Sequence, residues 1–284
     1  MSPVLVFAVF AVLVLSLTVF RLFFYRTWKR RRVLARPLPD TWRELMKTQI
    51  PLYRRLPSAL QQQLENHVRL FLAEKDFYGC DGFEVDDRVR VTIAGHACLL
   101  VVARNFSDFD HVTSVLVYPS AFHVREEYND GPVVSVQHEI RAGEASDFGR
   151  VVLSWTDCEK SLAHPEQDFN VILHEFAHQL DFLDGSADGA PPLSGEEARQ
   201  WQHTMSEAYA QLQASLGMTA NFHAGSKAAK PWLDPYGATE PAEFFAVLTE
   251  AFFQQPEHLR QVQPKVYKAL SGFYRLDPTT FREA

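Results

Sequence analysis

The chain has 284 residues, 46% of them hydrophobic, and a net charge of −7. That is apolar material for one large core or two small ones, and three widely spaced cysteines (Cys80, Cys98, Cys158) exclude a disulfide framework and a Cys-x-x-Cys zinc ribbon. The charge is uneven: residues 1–36 hold seven Lys/Arg and no acid, which leaves 21 basic against 35 acidic residues beyond them, a net of −14 that argues against a nucleic-acid surface.

Residues 2–20 carry no charge, and with residues 22–25 the apolar stretch passes 20 residues, enough to span a bilayer as a helix. A secretory signal would want basic residues before this run; here Arg26, Lys29, Arg30, Arg31 and Arg32 follow it. The positive-inside rule then gives an anchor over residues 1–26 with its N-terminus outside and the rest of the chain in the cytoplasm. Residues 27–40 read as a basic juxtamembrane linker, stiffened by Pro37 and Pro39, and residues 41–284 as one domain.

From Thr41 to about Lys75 the apolar spacing is helical, with a break at Pro51. Residues 86–102 mix a helical and an alternating pattern, and the helix is favoured; His96 within it reads as a core or surface residue. A β-rich section follows: residues 112–118, 133–140 and 151–155 read as strands, separated by turn signals at 129–132 and Gly143. An edge strand there could pair with an extended peptide, with residues 143–149 as the rim. His111, His123, His138 and His164 have no neighbour at ligand spacing and are treated as ordinary. Beyond Gly185 a Gly/Ser/Asp/Pro-rich loop leads to an amphipathic helix over 196–216, and 217–230 reads as a loop.

The chemistry concentrates in Asn170-Val-Ile-Leu-His174-Glu175-Phe-Ala-His178-Gln-Leu-Asp181. On a helix, His174 and His178 stand one above the other and can offer two imidazole nitrogens to one metal ion. Glu175 lies one position round, beside the ion, where it can take a proton from the attacking water. Asp168 or Asn170 can cap this helix, Phe169, Leu173, Phe176, Leu180 and Leu183 form its apolar stripe, and Gly185 can end it.

A catalytic site needs a third protein ligand. Residues 236–253 read Tyr-Gly-Ala-Thr-Glu-Pro-Ala-Glu-Phe-Phe-Ala-Val-Leu-Thr-Glu-Ala-Phe-Phe: a helix capped by Thr239, with Pro241 in its first turn and Glu243 and Glu250 on one acidic edge. A carboxylate among so many apolar residues is costly unless something compensates it, as a metal ion would. Asp181, three residues after His178, is a rival ligand; an acceptor that orients an imidazole N–H suits it better. Spacing alone leaves the choice among Glu243, Glu250 and Asp181 open.

These two stretches, with Ala97-Cys-Leu-Leu, Val151-Val-Leu-Ser-Trp and the Tyr-x-x-Asp-Pro at Tyr274, resemble the Mlc titration factor A family of bacterial zinc peptidases from about Trp42 onward. The resemblance implies an α+β, zincin-like metallopeptidase domain with a small sheet beside the active-site helix. It implies one Zn²⁺ on His174, His178 and Glu243, with Glu175 as general base and Tyr236 as the donor to the developing oxyanion. It also implies an aminopeptidase acting on short peptides, here at the inner membrane, and a partner, a transcriptional repressor of sugar uptake. A repressor-binding module whose zinc site is regulatory or vestigial is the alternative. Asp168-Phe-Asn before the first His, Glu240 and the N-terminal apolar run depart from the family pattern and bear on the rim and the partner rather than the metal.

Overall fold

Parallel strands need long crossover connections, and between its first two strands this chain supplies one that contains a helix. The computed structural model describes residues 2–120, 149–164, 169–220 and 231–281. Three strands, β1 (Asp76–Gly79), β2 (Ser114–Tyr118) and β3 (Arg150–Ser154), form a parallel sheet in the order β1-β2-β3, with Phe77, Val115 and Val151 in register. β2 and β3 fall where the apolar runs put them. β1 is four residues long and mostly exposed, so it carries no pattern to read; its backbone pairing with β2 makes it a strand.

The helical stretch expected over 41–75, with its break at Pro51, is three helices: α3 (Asp40–Gln49), α4 (Pro51–Arg55) and α5 (Ser58–Glu74). Pro51 opens α4 in the first turn, where a missing N–H costs nothing, and Pro57 precedes α5 in extended conformation. α6 (Asp87–Leu99) is a helix as favoured, capped by the Asp86 carboxylate, which accepts the Val89 N–H at 2.8 Å. His96 lies in the core at 4% exposure, with Nδ1 3.0 Å from the Thr92 carbonyl.

The remaining helices are α7 (Trp155–Ala163), α8 (Val171–Asp181), α9 (Gly195–Ala220), α10 (Pro241–Gln254), α11 (Pro256–Val262) and α12 (Pro264–Tyr274). α9 runs past the expected end at 216 and takes Gly217–Ala220, placed in a loop by composition, into the helix. α8 packs on β3 and α6 on one side and on α10 on the other. Its buried Phe176 meets Phe71 and Phe109 edge-on at ring distances of 5.6 and 5.4 Å, which fixes the roll of the helix. The expected strand at 133–140, the turn at 129–132, His123, His138, Asp168, rim residues 143–148 and loop residues 221–230 lie outside the described residues.

At the N-terminus α1 (Pro3–Val19) is 17 residues long, and among the described residues no helix is long and apolar enough to cross a membrane. The single regular helix expected over 1–26 is therefore corrected: a π turn at Phe20–Phe24 interrupts the α-helical hydrogen bonding before α2 (Tyr25–Leu34) begins. The large apolar side chains of α1 are exposed; Val4, Phe7 and Phe10 are 77, 73 and 64% exposed. α2 packs against α5. Arg30 bonds both Glu74 oxygens at 2.8 Å and Asp110 at 2.6 Å, and Arg26 lies 2.5 Å from Asp110. Leu38, between the two linker prolines, is buried. Composition shows a charged linker; the structure shows part of it docked, because its partners Glu74 and Asp110 lie far along the sequence.

Candidate active site

α8 begins with Asn170 in extended conformation; its side-chain oxygen accepts the Leu173 N–H at 3.0 Å. Asn170 is the cap, and Phe169, expected in the apolar stripe, is exposed. The helix ends at Asp181, and Gly185, at φ 96°, closes the short 3-10 turn that follows. Four-residue spacing puts the rings of His174 and His178 at a centroid distance of 4.8 Å, with Nε2 3.2 Å from Nε2.

α10 crosses α8 and brings a carboxylate to the same point. Glu240 is the N-cap and makes no side-chain cap bond; Thr239, expected there, instead donates its hydroxyl to the Tyr236 carbonyl at 2.7 Å. Pro241 sits in the first turn as expected. Glu243 lies 2.9 Å from His174 Nε2 and 3.4 Å from His178 Nε2. One donor atom from each of the three residues falls within 4.8 Å of the others, and all three side chains are buried.

The donor set fits a metal. Donors about 2.0–2.1 Å from a tetrahedral ion lie roughly 3.3 Å apart, close to the 2.9, 3.2 and 3.4 Å found here. The buried Glu243 oxygen nearest His174 Nε2 has no hydrogen-bond partner among the described residues beyond the imidazoles it faces. Two imidazole nitrogens and a carboxylate facing one another are stabilised by a positive charge among them, a proton on His174 or a metal ion. Burial alone would raise the Glu243 carboxyl and lower the His174 imidazole. Their mutual contacts, with Glu250 adding to those of His174, hold Glu243 down at about 2 and His174 well above its usual value.

Glu175 stands apart from this cluster and is partly open to solvent. The protein packed around it raises its carboxyl above the ordinary range, as does the Glu243 charge, while His174 and His178 pull it back. A carboxyl raised by burial and standing next to two imidazoles is suited to taking and returning a proton. Tyr236 lies in a 3-10 turn (Pro235–Ala238) whose cap, Asp234, accepts the Tyr236 N–H at 2.8 Å. Its ring is 6.0 Å from that of His174 and half exposed. Partial burial and the charges of Glu243, Glu175 and Glu240 push its hydroxyl up to about 12, so it keeps its proton.

Asp181 does not orient an imidazole. Its carboxylate accepts the Gly189 N–H at 2.8 Å, and among the described residues His178 Nδ1 has no hydrogen-bond partner. Asp181 is the last residue of α8, so its side chain turns to the following loop; burial raises it to about 7. The acceptor on an imidazole comes from α10: Glu250 lies 2.8 Å from His174 Nδ1. Its seven-residue spacing from Glu243 was the one signal of this in the sequence, and it showed a shared edge without showing what the edge meets.

Comparison with known proteins finds a family and several relatives. The model of a family described as glucose-regulated metallo-peptidase M90 matches residues 25–275. An uncharacterized protein of Synechocystis is 37% identical over 254 residues, covering 88% of this chain and 89% of its own. Mlc titration factor A of Cronobacter sakazakii is 34% identical over 254 residues (88% and 91%), and that of Escherichia coli 34% over 239 residues (84% and 86%).

Proposed function

Since the chain belongs to the glucose-regulated metallopeptidase M90 family, we propose that it is a zinc-dependent peptidase, with His174, His178 and Glu243 as ligands, Glu175 as general base and Tyr236 as oxyanion donor. The observation that carries this is the convergence of the two Nε2 atoms and the Glu243 carboxylate, with Glu175 one residue along the same helix. Bound there, Zn²⁺ would polarise a peptide carbonyl and make water acidic enough to attack it.

The protein's own groups complete the chemistry. Glu175 takes a proton from the attacking water and returns it to the leaving amine, a cycle suited to a carboxyl raised by its surroundings. Tyr236 donates its retained proton as a hydrogen bond to the oxygen that gains charge. Its exposure places that donor at the open side of the site. The resemblance supports a short peptide with a free N-terminus as substrate, and hence an aminopeptidase.

Purified full-length protein, assayed for zinc content and for hydrolysis of aminoacyl chromogenic amides, tests the reading. Glu175→Gln should keep zinc and lose about 10²–10⁴-fold in turnover. Glu243→Ala should lose both zinc and activity. A wild type that holds no zinc and cuts no peptide refutes it.

The relatives named Mlc titration factor A favour a second role, binding of a repressor partner. It would be untouched by Glu175→Gln, which separates it from hydrolysis. As to location, α1 and the π turn follow one another without a non-helical residue, 17 and then 5 residues. From the exposed apolar side chains of α1, such as Val4, Phe7 and Phe10, and the basic residues from Arg21 onward, we infer that the chain is held at the inner membrane with the peptidase domain on its cytoplasmic face. Release of the full chain from membranes by alkaline carbonate would count against that placement.

A further inference from the structure

We propose that Glu250 is the positioning residue of the metal site: it fixes the ring orientation and tautomer of His174 so that Nε2 carries the lone pair that faces the metal. This rests on the metallopeptidase reading and extends it to a residue outside the ligand set.

Glu250 is 1% exposed, in the middle of an apolar helix. A carboxylate there is expensive unless every oxygen is used. One oxygen lies 2.8 Å from His174 Nδ1; the other accepts the backbone N–H of Asn170, the cap of α8. Both oxygens are thus committed, and Glu250 stands on the Nδ1 edge of the ring, away from the point where His174, His178 and Glu243 converge. It is not a ligand. It clamps both the imidazole and the start of the helix that carries it.

The tautomer follows from donor and acceptor counting. A carboxylate only accepts, so His174 Nδ1 must carry the hydrogen. Nε2 lies 2.9 Å from Glu243 and 3.2 Å from His178 Nε2; a metal ion bound there would replace any hydrogen on Nε2 and meet the lone pair of a neutral ring. Glu243 and Glu250, two turns apart on α10, hold the same ring from its two edges. His178 has no such support among the described residues, since its Nδ1 meets no partner. The geometry of the site is therefore set at His174.

Glu250→Gln tests this with one atom. The Asn170 N–H still needs an acceptor, so the amide oxygen turns to it and the NH₂ faces His174 Nδ1. That makes Nδ1 the acceptor and puts the ring hydrogen on Nε2, where it blocks the metal. The substitution keeps the shape, the burial and the Asn170 bond, so a residue with a purely structural role would tolerate it. Zinc affinity is measured by chelator competition on the full chain, with the unfolding midpoint of the metal-free form as the control. The expected result is a 10–100-fold weaker zinc affinity with the metal-free midpoint held. Unchanged zinc affinity overturns the proposal and leaves the peptidase reading intact; a wild type that binds no zinc overturns both. If the variant does not fold, the zinc-loaded wild type still decides: ¹⁵N NMR should find His174 metallated at Nε2 and protonated at Nδ1. Metal at Nδ1 refutes the assignment.

Discussion

Arg30 joins the N-terminal helices to the domain, and its removal has a calculable cost. Its guanidinium makes two 2.8 Å bonds to Glu74, one of 2.6 Å to Asp110, and lies 5.0 Å from the Phe106 ring centre. The Arg30, Glu74 and Asp110 side chains are 19, 9 and 28% exposed, so the group is neither a surface pair nor fully buried. Breaking a buried pair costs about 3–5 kcal/mol, and an exposed pair contributes about 0.2–1 kcal/mol. Arg30→Ala should fall between, about 2–3 kcal/mol, because among the described residues Glu74 is left with Arg26 at 3.7 Å and the more distant charge of Lys75. For a domain of this size that lowers the unfolding midpoint by roughly 5–10 °C. The assay is thermal unfolding of the full chain in mild detergent, followed by circular dichroism, as a double-mutant cycle with Glu74→Gln. Glu74→Gln should cost less in the Arg30→Ala background than alone, since neutralising a stranded carboxylate relieves it. Burial pushes the Glu74 carboxyl up, but contact with Arg30, together with the charges of Arg26 and Lys75, holds it below its usual range. The coupling is therefore complete at neutral pH and fades as the pH falls below the unfolded carboxyl value. A midpoint shift under 2 °C, or a coupling below about 0.5 kcal/mol, would show that α2 merely lies against the domain.

Two further outcomes follow from the geometry around the site. At Gly189, φ is 77° and an added Cβ would lie 2.3 Å from the carbonyl of Pro241, the first residue of α10; at Gly185, φ is 96° and the space is open. Gly189→Ala should therefore cost roughly 2–4 kcal/mol and weaken zinc binding by shifting Glu243, whereas Gly185→Ala should cost about 1 kcal/mol and leave zinc alone; equal effects in urea unfolding and zinc titration would refute the distinction. Burial holds the His96 and His67 imidazoles down at about 4. The unfolded chain then binds more protons between about pH 6.5 and 4, so the metal-free protein should lose stability as the pH drops through that window, by up to about 3 kcal/mol for each ring. His96→Gln should remove close to half of that slope in urea titrations; an unchanged slope would mean that His96 is not buried neutral.

What the sequence revealed and what it hid divide along one line, the reach of the interaction. The α8 site is local: His174 and His178 share a face by the period of the helix alone, and Asn170 caps within three residues. Glu243 and Glu250 were legible as one acidic edge, because seven residues is two turns. Which of them is a ligand depends on how α10 crosses α8, and no window of sequence contains that angle. Asp181 shows the limit most directly. Its spacing of three from His178 is correct for a shared face, yet it ends the helix, and Gly189, eight residues on and held in turn by the Trp201 indole at 3.1 Å, captures its carboxylate. β1 and the docked Arg30 were missed for the same reason: Asp76 pairs with Ser114, and Arg30 with Glu74 and Asp110. A single crossing of two helices thus turns two local patterns into one site. Substitutions that move α10 against α8 without touching a ligand should therefore disturb the metal more than substitutions of equal cost elsewhere in the core.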